Sequence, residues 1–232
     1  MIRAVICDVY HTLLEVLPPP ADADGKWREL TARHLGEVPC SLGELTMRCR
    51  EIVAQDHAAA KTAGVLFPEV VWPAVMERAL PGLKLLAEPA RREFLFEHMQ
   101  LLRELRLMPV AGEVLNRCAD QGLLLGIASN AQRYTLRELQ LGLAETGLTT
   151  EIFDPELCLW SWQLGFSKPN PHVFQILTAR LAHRGIAPGE ILMIGDRADN
   201  DIEPACAFGW QAFRIERAED WRGVRELLFR KP

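Results

Sequence analysis

The sequence predicts an α/β fold: a doubly wound, parallel five-stranded sheet with an inserted all-helical unit. Three observations predict it. Short apolar runs of strand length alternate with stretches of helical periodicity from Pro109 onward. An isolated run of the same kind, Ile2 to Cys7, opens the chain. Between them, Pro18-Pro19-Pro20 stops regular structure, and from about Asp24 to Leu107 the pattern is helical with no strand signal. The expected organisation is a core of residues 1–17 and 108–232 and an inserted helical domain of residues 18–107.

The elements follow in order. Trp27, Leu30, His34 and Leu35 recur at helical spacing, and Ser41-Leu42-Gly43-Glu44 is a capping box in which serine and glutamate serve orphan amides at a helix start. Pro68-Glu69 suits the first turn of a further helix. Phe94, His98, Leu101, Leu102 and Leu105 form another apolar stripe. A helix carrying Val110, Val114, Leu115 and Cys118 should end near Gly122, and Leu123 to Ala128 should be the second strand. A helix over Leu136 to Leu143 follows, then a third strand region at Ile152-Phe153 and Leu157 to Trp160. Asn170-Pro171 reads as N-cap and first residue of a helix closed by Gly185. Ile191 to Ile194 is the fourth strand, a helix runs from about Asp199 to Gly209, Gln211 to Ile215 is the fifth strand, and a helix with Trp221, Val224, Leu227 and Leu228 ends the chain.

Composition narrows the functional classes. Charged residues at 25% and hydrophobic ones at 49% suit a globular protein, and apolar runs such as Leu123–Leu125 are far too short to span a bilayer. A formal charge of −5 argues against general nucleic-acid binding. Six scattered cysteines without a CxxC pair argue against a zinc site and for buried thiols in a reducing compartment. With no signal-peptide pattern at the N-terminus, the expectation is a cytoplasmic protein with no nucleic-acid or membrane partner.

In a doubly wound sheet ligands bind at the carboxyl ends of the strands. The first strand ends in Asp8-Val9-Tyr10-His11-Thr12-Leu13 and the second in Ser129-Asn130. Lys168-Pro169 precedes the Asn170 helix, and the fourth strand ends in Gly195-Asp196-Arg197-Ala198-Asp199-Asn200-Asp201. An acid, a hydroxyl, a lysine and an acid cluster would therefore meet at one sheet edge. Singly each has an ordinary structural explanation as a cap or turn residue.

Together and in this order they resemble the four motifs of the haloacid dehalogenase (HAD) superfamily, helical-cap type, over residues 1–17 and about 108–215. The resemblance implies a Rossmann-like core and a set of roles. Asp8 would be the nucleophile, forming a covalent aspartyl intermediate. Ser129 would hydrogen-bond a transferring phosphoryl oxygen, with Thr12 and Asn130 beside it in substrate binding. Lys168 would offset the negative charge of nucleophile and substrate. Asp8, the Tyr10 main-chain carbonyl, Asp196 and Asp201 would hold Mg²⁺, a hard cation that prefers oxygen. Asn200 would orient an acid or water, or simply begin a helix.

One departure bears on mechanism. The family's phosphatases usually carry a second Asp two residues after the nucleophile, as general acid and base, followed by Gly; here Tyr10 and His11 stand there. The superfamily's haloacid dehalogenases also have Tyr at this place, and a halide leaves without a proton. Three readings follow from the resemblance: a Mg²⁺-dependent phosphatase acting on a small phosphorylated molecule through an aspartyl-phosphate at Asp8, a metal-independent 2-haloacid dehalogenase, or a phospho-ligand-binding protein with weak or no turnover. The acids Asp196 and Asp201 favour the first, because three converging carboxylates without a cation repel one another. His11 has the intrinsic pKa range of a proton donor, but the expectation is a structural histidine turned away from the site. Lys26, Arg28, Arg33, Arg48 and Arg50 are expected to be solvated, and His34, Trp27, Phe67 and Trp72 to pack.

Overall fold

The computed structural model describes residues 1–229. The chain divides into two compact units, Met1–Val16 with Leu105–Pro232, and Leu17–Glu104. In the first unit a five-stranded sheet has the order β5-β4-β1-β6-β7. Its strands are β1 (Ala4–Cys7), β4 (Leu124–Ser129), β5 (Cys158–Trp160), β6 (Ile191–Gly195) and β7 (Gln211–Arg214), and all pairings are parallel. Central β1 pairs on both sides, with Ala4 opposite Leu124 and Ile191.

Period-two alternation sends successive side chains to opposite faces, and each face finds helices. Val5, Cys7, Leu125, Ile127, Leu192 and Ile194 pack with α5 (Ala111–Asp120), α6 (Thr135–Ala144) and α10 (Trp221–Phe229). Ala4, Ile6, Ile191 and Met193 pack against Val173, Phe174, Leu177 and Leu181 of α8 (Pro171–His183) and Ala205 of the short α9 (Glu203–Ala207). The doubly wound expectation is met. The contact between β4 and the segment entering β5 is close: a Cβ on Gly126 would fall 2.5 Å from the Leu157 carbonyl oxygen and 2.7 Å from Ile6 Cδ1. Backbone cannot step aside as a flexible side chain can. Gly126→Ala therefore lowers stability by about 1–3 kcal/mol, read as a lower urea midpoint at unchanged slope.

The second unit is helical: α1 (Ala23–Leu35), α2 (Leu42–Thr62), α3 (Trp72–Ala79) and α4 (Glu88–Leu102). Ser41 caps α2 in the expected capping box, its Oγ accepting from Glu44 N–H at 3.2 Å while Glu44 Oε2 accepts from Ser41 N–H at 2.8 Å. Trp27, Leu30, Leu45, Met76 and Phe94 form the core, and Trp27 Nε1 donates to the Cys40 carbonyl at 2.7 Å. His34 packs edge-on against Phe94, as its place on the apolar stripe implies.

Four local expectations are corrected. Pro68-Glu69 does not open a helix: the Glu69 carboxylate accepts from the adjacent Val70 N–H at 2.8 Å, and α3 begins at Trp72 with Pro73 in its first turn. Ile152-Phe153 is not strand; Thr150–Ile152 makes a 3₁₀ turn that Thr149 caps. The helix expected from Asp199 begins as a single π-type turn, Ala198–Ile202, before α9. A two-stranded ribbon of β2 (Leu14–Leu17) and β3 (Glu104–Leu107) was not foreseen, and it breaks the all-helical expectation for the insertion up to Leu107. Four residues are too few to show a period. The ribbon is set instead by long-range contacts, with Met108 N–H donating to the Leu13 carbonyl at 2.7 Å and Arg106 Nε to Glu15 Oε2 at 2.6 Å. Among the described residues no helix is long and apolar enough to cross a membrane.

Candidate active site

Asp8 follows directly on β1, and its N–H donates to the Ile194 carbonyl at 2.9 Å, extending the β1–β6 pairing by one residue. Since β4 and β6 flank β1, the residues after all three strands meet at one edge. The Lys168 side chain arrives there from the loop before α8. Asn130, just past β4, holds that loop from both sides: its Nδ2 donates to the Lys168 carbonyl at 2.9 Å and its Oδ1 accepts from Lys168 N–H at 2.7 Å. The Asn130 amide, expected to bind substrate, thus positions Lys168. Ser161 pins the adjacent backbone, its Oγ accepting from Ala131 N–H at 2.8 Å.

Lys168 is buried, and its Nζ lies 2.7 Å from Asp8 Oδ1 and 2.5 Å from Asp201 Oδ1. Asp201 sits in the π-type turn, a distortion that recurs at functional sites. Its Oδ2 accepts from Arg197 N–H at 3.0 Å. Only glycine at 195 permits this: a Cβ there would fall 2.4 Å from Asp201 Cβ. Asp8, Asp196 and Asp201 each offer a carboxylate oxygen, all within 4.8 Å of one another. Asp8 is raised to about 6, chiefly by burial, with the Lys168 ammonium opposing the rise and the Asp201 charge adding to it. Burial and Asp201 raise Asp196. Burial also disfavours the Lys168 ammonium, but Asp8 and Asp201 outweigh it and leave the lysine above its ordinary range.

Three carboxylates and one ammonium leave two negative charges unbalanced. That donor set, all oxygen and within a few ångströms, fits a divalent hard cation such as Mg²⁺. Ser129, the last residue of β4, is buried with its Oγ lacking a hydrogen-bond partner among the described residues. Thr12 Oγ1 is buried and unpartnered in the same way. A buried hydroxyl without a partner is costly, and an incoming ligand oxygen would relieve that cost.

The Tyr10 and His11 side chains part to opposite flanks of β1. The Tyr10 hydroxyl is 2.6 Å from Thr135 Oγ1 and donates to the Glu138 carboxylate, on the β4 side. His11 is exposed and lines a groove with Asp196, Met108, Arg214 and Arg217, on the β6–β7 side, where it lowers the pKa of Asp196. The expectation that His11 turns away from the acid cluster is corrected. Its backbone is left-handed, with φ of 57°. For a residue with a side chain this costs about 1 kcal/mol, which accounts for the glycine usual at that place. Thr135 and Glu138 were not singled out from sequence. The available signal was a carboxylate at Glu138 on the buried face that also carries Thr135, Leu139 and Gly142.

A family model described as haloacid dehalogenase-like hydrolase matches residues 2–209. The chain belongs to that family. Within the HAD-like hydrolases it is 26% identical over 216 residues to (S)-2-haloacid dehalogenase 4A of Burkholderia cepacia, covering 93% of this chain and 84% of that one. It is 32% identical over 120 residues to ribulose-1,5-bisphosphate 5-phosphatase of Halopiger xanaduensis, covering 51% of this chain and 46% of that one. The fold matches the crystal structure of a 2-haloacid dehalogenase from Pseudomonas syringae pv. Tomato DC3000 with a TM-score of 0.63 at 19% identity, over 99% of this chain and 100% of the other. HAD-like relatives thus include both dehalogenases and phosphatases, and the chain is a hydrolase of this fold.

Proposed function

We propose that this HAD-like hydrolase transfers a phosphoryl group from a small phosphorylated molecule to Asp8 and then to water, with Mg²⁺. The observation that carries the reading is the convergence of Asp8, Asp196 and Asp201, in which Asp196 supplies a third carboxylate beyond the pair that Lys168 bridges. Asp8 Oδ1 is held by Lys168, and Oδ2 attacks phosphorus while the bond from phosphorus to the leaving oxygen breaks and its electron pair departs with that oxygen. Ser129 Oγ, unpartnered until then, donates to a phosphoryl oxygen, and the Lys168 charge offsets repulsion between nucleophile and phosphate. Asp8, the Tyr10 main-chain carbonyl, Asp196 and Asp201 would hold the cation, which supplies Lewis-acid stabilisation of phosphoryl charge when bound. Water then displaces the Asp8 carboxylate from phosphorus and releases orthophosphate.

A second reading is favoured by Tyr10, whose hydroxyl is engaged by Thr135 and Glu138, and by the similarity to a haloacid dehalogenase over 93% of the chain. In it Asp8 displaces halide from a 2-haloacid, needing neither a proton donor nor a metal. One comparison separates the two. The expected result is release of nitrophenolate from p-nitrophenyl phosphate with Mg²⁺ and its loss with chelator. Chloride release from 2-chloropropionate that chelator does not affect, without nitrophenolate release, would replace the first reading by the second.

A further inference from the structure

We infer that the stretch from the end of β7 to the start of α10 is a positioning clamp for the acid cluster, in which Arg214 and Trp221 hold the two turns that carry Asp196 and Asp8. The inference rests on the phosphoryl-transfer reading with its cation, and it names residues to which that reading gives no part. Both lie beyond residue 209, where the family match ends.

The acids stand on two separate turns. Pairing of β1 with β6 ends at Cys7 opposite Ile194, and the Asp8 N–H adds one bond to the Ile194 carbonyl at 2.9 Å. Beyond that point each chain turns on itself. In the first turn the Leu13 and Leu14 N–H groups both donate to the Val9 carbonyl, at 2.8 and 2.7 Å, and His11 N–H donates to the Leu14 carbonyl at 2.7 Å. In the second, Asp201 N–H donates to the Arg197 carbonyl at 3.0 Å. These bonds shape each turn without fixing one against the other. Carboxylates within 4.8 Å of one another repel, so their spacing has to be imposed by the surrounding chain.

One continuous stretch reaches both turns. At the end of β7, Arg214 lies opposite Gly195, and Ile215 N–H donates to the Gly195 carbonyl at 2.8 Å. Arg214 Nε donates to the next carbonyl, that of Asp196, at 2.9 Å, while its Nη1 lies 3.0 Å from Glu216 Oε1. Asp220 shapes the bend that follows: its Oδ2 accepts from Glu216 N–H at 2.9 Å and from Arg217 N–H at 3.0 Å. The bend delivers Trp221, which is fully buried and whose Nε1 donates to the Thr12 carbonyl at 2.8 Å. The indole belongs to the same apolar cluster as Val9, Leu13 and Ile215. A buried N–H that loses its acceptor is costly. Displacing one turn against the other therefore breaks a bond at Arg214 or at Trp221. In this role neither side chain is a cation ligand; each acts through the backbone of a turn that carries one.

The test measures the dissociation constant of Mn²⁺ alone, from the loss of its free EPR signal, for wild type, Trp221→Phe, Arg214→Lys and a control, Trp210→Phe. Phe keeps an aromatic ring without the N–H, and Lys keeps the charge without Nε. The control loses a comparable indole bond, from Trp210 Nε1 to Thr178 Oγ1 of α8 at 3.0 Å. Removing a group that orients metal ligands costs about 10–100-fold in affinity, so Trp221→Phe and Arg214→Lys should each weaken Mn²⁺ binding by about tenfold or more. Trp210→Phe should leave it unchanged. A merely structural role would lower the urea midpoint with Mn²⁺ affinity intact. Wild-type affinity in either folded variant, or an equal loss in Trp210→Phe, would overturn the clamp and leave phosphoryl transfer standing. If Trp221→Phe does not fold, Arg214→Lys, at a half-exposed position, decides alone. A wild type that binds no Mn²⁺ would remove the cation from the phosphoryl-transfer reading and this inference with it.

Discussion

Asp8→Asn abolishes turnover, with kcat on p-nitrophenyl phosphate reduced by about 10⁴-fold or more. The substitution is nearly isosteric, and the Asn side-chain oxygen can still accept from Lys168, which also keeps its 2.5 Å contact to Asp201. The fold therefore survives and the effect is chemical: an amide oxygen is a poor nucleophile and cannot leave again as a stable carboxylate. Activity is read against near-UV circular dichroism, which should match wild type. Retained turnover in a folded Asp8→Asn protein would move the nucleophile elsewhere. The same variant tests the dehalogenation reading on 2-chloropropionate, because both readings require the Asp8 carboxylate.

Lys168→Met affects stability as well as rate. Met is close in volume, so packing changes little, but the ammonium bonded to both Asp8 and Asp201 is removed. Removing one partner from a buried ion pair costs about 3–5 kcal/mol, because the remaining charge is left uncompensated. Here two buried carboxylates are left facing each other, with Asp196 alongside. Urea denaturation in chelator should show the loss, and Mg²⁺ should recover part of it by supplying the missing countercharge. The recovery in Lys168→Met should exceed the Mg²⁺ effect on wild type. A variant as stable as wild type in chelator would mean that the carboxylates do not converge as described. The rate on p-nitrophenyl phosphate should also fall, by about 10²–10³-fold, the usual loss when a positioned electrostatic group is removed.

Much of this protein was legible along the chain, and the legible part has a common cause. Strand and helix periods depend on residues two to four apart, so Ala4–Cys7, Leu124–Ser129 and Ile191–Gly195 announced themselves, as did the Ser41 and Asn170 caps. Part of the site was legible because Asp8, Ser129 and Asp196 end or follow a strand, and a parallel sheet brings strand ends to one edge whatever the loops between them. Lys168 and Asp201, which lie beyond the strand ends, could be named through the resemblance to the family's four motifs.

What the chain did not disclose depends on partners far apart in sequence. Tyr10 reads as a lost general acid, but the direction of its hydroxyl is set by Thr135 and Glu138, more than a hundred residues away. Asn130 reads as a substrate ligand, and only the fold shows its amide holding the Lys168 backbone. The β2–β3 ribbon joins four-residue segments that show no period of their own. His11 reads as a histidine turned away, yet its left-handed backbone sets it in the groove beside Asp196. Local pattern specifies which residues stand at the ends of the strands; where their polar atoms point is decided by hydrogen-bond partners that only folding brings within 3 Å.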